Sequence, residues 1–275
     1  MDQTDEQNYT PERREFLKNC VALAGAGVAG CVVFSGDEAM ANIVPEDDER
    51  LVTQRVKYPV GDGEMIAYLA RPRDDKKYPA VIVIQEIFGL NPHIEDVTRR
   101  IALEGFLAIA PDALTPLGGT AAVGADVMSA MRSLDQAEAV KNFTAAVQYL
   151  KTHPQSTGKV GCTGFSWGGA MTSQVAVNSP DLNAAAPYYG TVPADDDVPK
   201  IKSPMMCHFA EDDARINAGI PGFEAALKKS GLEYQIFIYP GTRHGFNNDT
   251  SPSYHKEAAA EAWKRTVDFF RQKLA

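Results

Sequence analysis

Residues Gly164-Phe165-Ser166-Trp167-Gly168-Gly169 decide the fold of this chain, because of the segments on either side of them. Residues 159–163 are typical of a short buried strand, and residues 170–177 form a small-residue helical pattern. The order strand, G-x-S-x-G, helix predicts a nucleophile elbow, a turn in which only small residues fit two places before and after the serine. Such a turn raises the serine hydroxyl above the sheet and directs a helix N-terminus at it, which stabilises developing negative charge. A G-x-S-x-G match also occurs by chance in glycine-rich turns, so the rest of the chain decides its meaning.

The segments around the elbow alternate between strand and helix patterns. Two strands at 52–60 and 64–70 flank the turn signal Gly61-Asp62-Gly63, which predicts an antiparallel hairpin. Further strands are predicted at 79–84, 106–110, 159–163, 184–189, 205–209 and 234–239, and helices at 94–104, 125–150, 223–229 and 254–274. A hairpin followed by alternating β and α units predicts one α/β domain, a three-layer sandwich with a mostly parallel sheet flanked by helices.

The first 41 residues have the pattern of a signal peptide. Arg13-Arg14 is a twin-arginine pair, a weakly apolar Gly/Ala-rich stretch occupies 21–34, and Ala39-Met40-Ala41 is an A-x-A cleavage site. This order predicts a twin-arginine (Tat) signal peptide over 1–41 that is removed after Ala41, leaving a single domain over 42–275. The mature protein is therefore expected to be periplasmic or secreted, with the Tat export machinery as the partner of the leader.

Two other interpretations of the leader are open. A transmembrane anchor would require roughly 20 apolar residues, more than this run supplies, so no stable membrane span is expected. Val28-Ala29-Gly30-Cys31 is similar to a lipobox, which would place a lipid on Cys31 instead of a cut after Ala41. Against the lipobox, Val32-Val33-Phe34 continues the apolar run past the cysteine, so cleavage after Ala41 is preferred.

Charge and cysteine content exclude several classes of protein. The 275-residue chain has a net charge of −9, and residues 1–41 hold seven of its acids and three of its bases, which leaves 42–275 near −5. No segment concentrates Lys or Arg, so the distribution of charge disfavours nucleic acid and anionic membrane surfaces as partners. Outside the leader only Cys162 and Cys207 remain, both in apolar strand patterns, which predicts buried thiols and no disulfide framework.

An elbow serine needs a base and a carboxylate, and the chain supplies both where strands end. Ala210-Glu211-Asp212-Asp213 follows one predicted strand, and Arg243-His244-Gly245-Phe246 follows another. Ligands bind beyond the carboxyl ends of parallel strands, so these segments and Ser166 should converge at one edge. His244 fits the base, since a histidine pKa of about 6.5 allows it to take and return a proton. Asp213 is the predicted acid and Asp212 its chief rival. The other histidines lie before helices, at a helix end, in a strand or within a helix: His93, His153, His208 and His255.

At this point the chain resembles the dienelactone hydrolase family of α/β-hydrolases over essentially its whole mature length. The motifs that carry the resemblance, in order, are Gln85-Glu86-Ile87-Phe88-Gly89-Leu90-Asn91, Ala110-Pro111-Asp112, Gly164-Phe165-Ser166-Trp167-Gly168-Gly169, Tyr188-Tyr189-Gly190 and His244-Gly245-Phe246. The resemblance implies the α/β-hydrolase fold, Ser166 as nucleophile, Asp213 as triad acid and His244 as base. It also implies an oxyanion hole of the Ile87 and Trp167 backbone N–H groups, and a carboxylate, Glu86, beside the nucleophile.

Two departures from the family pattern matter. The family usually has cysteine at the nucleophile, whereas a serine such as Ser166 depends on His244 to remove its proton during attack. The role of Glu86 is therefore open between priming the nucleophile, as the family implies, and a structural role paired with Arg243. Residues 245–248 also lack the arginine with which dienelactone hydrolases hold the substrate carboxylate, so the particular lactone does not follow from the resemblance.

These observations predict an enzyme that hydrolyses a small ester or lactone through a Ser-His-Asp triad and an acyl-enzyme, with no metal or organic cofactor. One alternative is a serine peptidase or acyl-peptide hydrolase on the same fold, which would be expected to carry an extra gating domain. Another is a family member that binds a ligand without turning it over. Retention of Ser166, Asp213 and His244 in the correct chain order argues against that second alternative.

Overall fold

An eight-stranded sheet is the middle layer of the computed structural model, which describes residues 44–275. Its strands are β1 (Leu51–Val60), β2 (Gly63–Pro72), β3 (Tyr78–Ile84), β4 (Leu107–Pro111), β5 (Ser156–Phe165), β6 (Ala184–Tyr188), β7 (Met205–Asp212) and β8 (Tyr234–Arg243). They lie in the order β1-β2-β4-β3-β5-β6-β7-β8. Strand β2 is antiparallel to β1 and to β4, and all the other neighbours are parallel. The predicted α/β-hydrolase sheet with its N-terminal hairpin is confirmed.

Helices cover both faces of this sheet. They are α1 (Pro92–Leu103), α2 (Thr120–Val123), α3 (Val127–Ser133), α4 (Gln136–Thr152), α5 (Trp167–Asn178), α6 (Ala214–Asn217), α7 (Ile220–Ser230) and α8 (Lys256–Lys273). Helices α4, α5 and α7 pack into one apolar core through residues such as Phe143 and Leu227. Helices α1 and α8 pack into a second core on the opposite face through Ile101 and Phe270. The two cores make the predicted three layers.

The segment between β4 and β5 is more divided than its sequence pattern predicts. Helix α3 ends at Ser133 and α4 begins at Gln136, so the stretch 125–150, whose pattern predicts a helix, forms two helices. The break occurs at Asp135, whose carboxylate accepts hydrogen bonds from the N–H groups of Ala137 (2.9 Å) and Glu138 (3.1 Å). A capped N-terminus of this kind starts a new helix.

Strands β7 and β8 extend further toward the carboxyl edge than predicted. They end at Asp212 and Arg243, which pair with each other after a register irregularity that follows Ala210. The extension carries the acidic segment and the histidine segment outward together, so that the residues immediately after the two strands, Asp213 and His244, lie side by side.

The remaining sequence predictions concern cysteines and membranes. Cys162 and Cys207 are free and buried, as predicted, and burial raises the pKa of each thiol to about 12. Within residues 44–275, none of the helices combines the length and apolar character needed to cross a bilayer. The predicted signal peptide and the cleavage site after Ala41 lie outside the described residues.

Candidate active site

Ser166 lies in a strained turn between β5 and α5. Its φ of 55° and ψ of −110° place a non-glycine residue in a sparsely populated backbone region, which costs on the order of 1–3 kcal/mol. Its neighbours must be glycine: a Cβ on Gly164 would lie 2.3 Å from the Gly168 carbonyl oxygen, and one on Gly169 would lie 2.2 Å from the Tyr188 oxygen. The turn is held by a hydrogen bond from the Ser166 N–H to the Tyr188 carbonyl (3.0 Å). These contacts explain why glycine is required on both sides of the serine in the predicted elbow.

The Ser166 hydroxyl is the first group in a chain of two hydrogen bonds. Its Oγ lies 2.7 Å from Nε2 of His244, and Nδ1 of His244 lies 2.5 Å from Oδ2 of Asp213. The Asp213 side chain is 8% exposed and that of His244 is 35% exposed. A carboxylate on Nδ1 favours the tautomer in which Nδ1 carries the proton, which leaves Nε2 free to accept from serine. This arrangement has the geometry of a nucleophile, a base and a group that orients the base.

The two adjacent aspartates have different positions. Asp212 is the last residue of β7, is exposed, and lies opposite Arg243 in the strand register. Asp213 follows the strand, precedes α6 and points to His244. The structure thus brings Asp213, and not its rival Asp212, into contact with the histidine.

The two backbone N–H groups assigned to the oxyanion hole lie on adjoining segments. Trp167 is the first residue of α5, where helical N–H groups have no acceptor within the helix. Ile87 lies in the turn after β3. This turn abuts the elbow, because a Cβ on Gly168 would lie 2.3 Å from the Ile84 oxygen and 2.4 Å from the Gln85 oxygen.

The turn that carries Ile87 is braced by a residue whose role the sequence did not reveal. The Asp112 carboxylate accepts hydrogen bonds from the N–H (2.7 Å) and the hydroxyl (2.8 Å) of Thr120. The Thr120 hydroxyl oxygen in turn accepts a hydrogen bond from the N–H of Leu90 (2.9 Å). The motif ending in Asp112 therefore supports the turn after β3 through Thr120.

Glu86 is buried next to this turn, with an uncharged partner. The side-chain amide of Asn248 donates a hydrogen bond to Glu86 Oε2 at 2.6 Å. Burial raises the pKa of the Glu86 carboxyl, and the Asn248 donor and the nearby His93 and His244 offset part of that rise. The proposed pairing with Arg243 was wrong: Arg243 is exposed, and its neighbour across the sheet register is Asp212.

Tyr189 is a further residue of the site whose position could not be predicted. It is fully buried, has a φ of 34°, and its ring stacks edge-on to that of His244 with centroids 5.1 Å apart. Burial raises the pKa of its hydroxyl well above the usual range. The available sequence signal was the Tyr188-Tyr189-Gly190 motif. Gly190 packs this segment closely against α5, because a Cβ at that position would lie 2.2 Å from the Ala170 nitrogen.

The other histidines are accounted for by structural contacts. His208 is fully buried between the Tyr239 hydroxyl and the Thr266 hydroxyl, at 2.9 Å from each, and burial lowers its pKa to about 3. His93 lies 3.2 Å from Asp249, His153 Nδ1 accepts a hydrogen bond from the N–H of Gln155 (3.2 Å), and His255 caps α8. Over residues 44–275, no cluster of three or more His, Cys, Asp or Glu side chains is arranged to hold a metal ion.

Comparison with known proteins places this geometry in a family. The model of the "Dienelactone hydrolase family" matches residues 65–274. A protein of Methylorubrum extorquens named "putative carboxymethylenebutenolidase" is 32% identical over 249 residues, covering 85% of this chain and 86% of the relative. A protein of the same name from Synechocystis is 35% identical over 248 residues, covering 81% and 97%. The crystal structure of a "putative dienelactone hydrolase" from Klebsiella pneumoniae matches with a TM-score of 0.74 and 29% identity, covering 81% of this chain and 99% of that one.

Proposed function

Because the chain belongs to the dienelactone hydrolase family and is an ester or lactone hydrolase, we propose that Ser166, His244 and Asp213 carry out the hydrolysis through an acyl-enzyme. The observation that carries the proposal is the continuous chain of hydrogen bonds from Ser166 Oγ through His244 to Asp213, at 2.7 and 2.5 Å, on a strained elbow. These contacts link a nucleophile, a base and a group that orients the base in the order that the triad mechanism uses.

In the first half of the reaction, Ser166 Oγ attacks the carbonyl carbon while its proton passes to Nε2 of His244. The oxygen of the tetrahedral intermediate becomes negative and is stabilised by the N–H group of Trp167, at the N-terminus of α5, and by the N–H group of Ile87, in the turn after β3. The bond to the leaving oxygen then breaks, and His244 returns the proton to that oxygen. The acyl group is left on Ser166, and in a lactone the alcohol remains attached to it.

In the second half, water replaces the leaving group. Nε2 of His244 takes a proton from the water, whose oxygen attacks the acyl carbon, and the same proton then returns to Ser166 Oγ as the acid departs. Asp213 holds the ring in the reactive tautomer and stabilises the imidazolium in both halves. Neither cysteine can take over the attack, because Cys162 and Cys207 are buried and their thiol pKa is about 12.

The test compares Ser166, in the elbow, with Ser173, in the helix that follows it. Ser166→Ala should lose reaction with a fluorophosphonate probe and at least about three orders of magnitude in kcat for an activated ester. Ser173→Ala, a change within the same helix and away from His244, should keep both. Activity above a few per cent in Ser166→Ala, in protein purified free of wild type, would mean that the elbow is not the catalytic centre.

For the leader, the proposal is export of the folded protein by the Tat route to the periplasm or medium, with cleavage after Ala41. Replacing Arg13 and Arg14 together by lysine should leave an unprocessed precursor in the cytoplasm, because this route recognises the arginine pair. Lys18→Arg, which changes a base outside the pair, should be processed normally. Wild-type levels of exported protein from the double variant would overturn the Tat assignment.

Mass spectrometry of the exported product separates the two processing alternatives. Cleavage after Ala41 gives an N-terminal Asn42 without lipid. An N-terminal Cys31 that carries lipid would show that the lipobox is used instead.

A further inference from the structure

A groove lies between the first turns of helices α4 and α5, next to the nucleophile. Its volume is about 380 Å³, and its walls are Ala137 and Val140 from α4 and Trp167, Ala170 and Met171 from α5. Gln136 and Gln174 are its polar lining residues. This volume and this mixture of apolar walls with few polar groups are those of small-molecule sites, which span roughly 300–1,000 Å³.

Trp167 connects the groove to the catalytic centre. It directly follows Ser166, its backbone N–H is assigned to the oxyanion hole, and its side chain forms a groove wall. The indole packs edge-on against Phe143 with ring centroids 5.9 Å apart, which fixes the wall against the core. Because Trp167 belongs to both, the groove begins one residue from the proposed nucleophile.

The charges around the groove disfavour an anionic occupant. None of its seven lining residues carries a charge. Nearby, at the N-terminus of α4, the exposed Asp135 carboxylate accepts the free N–H groups of Ala137 and Glu138, and the exposed Glu138 carboxylate is paired with Lys141. A ligand carboxylate would thus find those helix N–H groups already occupied by the like charge of Asp135.

We propose that this groove binds an uncharged apolar chain of the substrate, so that the enzyme prefers neutral esters with extended chains over small anionic lactones. The inference rests on the proposed function of Ser166 as the nucleophile. Each buried methylene contributes about fourfold in affinity, so the preference should grow steadily with chain length until the groove is filled.

The first experiment measures kcat/KM for p-nitrophenyl esters from acetate to octanoate, and for acetate esters of alcohols of increasing length. One series should rise at least about tenfold from its two-carbon member to its six-carbon member. In Ala137→Phe, which fills the groove from α4, that ratio should collapse to near one. Ala260→Phe, the same change at an exposed position of α8, should leave the ratio and the acetate rate as in wild type.

The second experiment detects binding without catalysis. Trp167 and Trp263 are the two tryptophans of the chain, so in Ser166→Ala/Trp263→Phe the emission comes from Trp167 alone. Titration with methyl hexanoate should shift that emission, whereas sodium hexanoate at the same concentrations should not. Adding Ala137→Phe should abolish the shift.

The outcomes separate this inference from the proposed function. A shift with methyl hexanoate in a protein whose wild type hydrolyses no ester would support the groove and overturn the proposed function. Ester hydrolysis whose chain-length ratio is unchanged in Ala137→Phe would support the proposed function and overturn the inference about the groove. If the hexanoate anion bound as well as methyl hexanoate, the inference that the groove takes an uncharged group would be overturned. A change from dimer to monomer in Ala137→Phe, measured by sedimentation, would show that the groove is a contact between copies and overturn the inference.

Discussion

The side-chain amide of Asn248 donates a 2.6 Å hydrogen bond to the buried carboxylate of Glu86, across 162 residues of sequence. The orientation of the amide is fixed, because Asn248 Oδ1 accepts from both the N–H (2.9 Å) and the hydroxyl (2.6 Å) of Thr250. This contact ties the loop that carries His244 to the turn that carries Ile87. His244 and Ile87, the proposed base and one proposed oxyanion-hole donor, are therefore held in a fixed relative position.

The residue after Asn248 fixes the same loop from a second side. Asp249 accepts a hydrogen bond from Arg100 of α1 at 2.6 Å and lies 3.2 Å from Nδ1 of His93. Its carboxyl pKa is lowered, because these bonds and the Arg100 charge outweigh the opposing effect of burial. The loop after β8 is thus bound to α1 as well as to Glu86, which limits the freedom of His244.

Glu86→Gln should make the protein more stable at neutral pH. Burial raises the pKa of the Glu86 carboxyl in the folded state, so the native protein holds this proton more tightly than the unfolded chain, and the carboxylate costs stability above that raised pKa. Glutamine keeps the acceptor for Asn248 without the charge. The gain in the free energy of unfolding, measured in urea, should be present at pH 7 and shrink as pH falls below the raised pKa, where wild type is itself protonated.

The control for that measurement is Glu64→Gln, on the exposed hairpin, which should change the free energy of unfolding little at either pH. A loss of stability in Glu86→Gln of equal size at pH 7 and pH 4 would contradict the argument, because it would show that packing and not charge dominates at this position.

Asp213→Asn should lower kcat by several orders of magnitude with the fold intact. An amide at this position can donate to Nδ1 and stabilise the wrong histidine tautomer, which in serine proteases costs about 10⁴ in kcat. Asp212→Asn, one residue earlier on the exposed strand end, should stay within about twofold, as is usual for surface changes. Steady-state kinetics on an activated ester distinguishes the two. Similar losses in both variants would mean that the acidic segment acts as a unit.

Ser166→Cys should give a reactive enzyme. His244 and the N-terminus of α5 surround the position, and both lower the pKa of a thiol. The variant should alkylate with iodoacetamide near neutral pH and retain hydrolysis of an activated ester within roughly two orders of magnitude of wild type. Ser173→Cys, buried in the same helix, should alkylate slowly. A folded Ser166→Cys protein that alkylates slowly and is inactive would leave Glu86 with a structural role only.

Gly168→Ala should destabilise the protein although alanine favours helices. Its Cβ would lie 2.3 Å from the Ile84 oxygen and 2.4 Å from the Gln85 oxygen, and relieving such contacts costs about 1–3 kcal/mol or more. The shift would also displace the turn that carries Ile87, so kcat should fall with stability. Gly222→Ala, near the start of α7 with only ordinary contacts to Asp195 at 3.4 Å, should stabilise by about 0.5–1 kcal/mol. Thermal unfolding and ester kinetics of both variants test the contrast.

Local pattern in the sequence was enough for the architecture and for the elbow. Apolar runs with strand or helix periodicity predicted all eight strands and the main helices, because burial on one or both faces of an element imposes that periodicity on the residues themselves. The glycines around Ser166 predicted the elbow for the same reason: backbone atoms pass within 2.3 Å of where a Cβ would lie. Serine, aspartate and histidine follow the ends of three parallel strands, β5, β7 and β8, which places the three side chains at one edge of the sheet.

Contacts between distant segments were decided by the tertiary structure alone. The sequence favoured Asp213 and left Asp212 as its rival; the structure brings Asp213 to 2.5 Å from His244 and leaves Asp212 on the exposed end of β7, opposite Arg243. The partner of Glu86 is Asn248 and not Arg243. The loop after β8 is buried beyond Gly245, which brings Asn248 to Glu86, while Arg243 is exposed at the end of the strand. Neither choice leaves a periodic trace in the sequence, since each depends on how two chain segments more than thirty residues apart are packed.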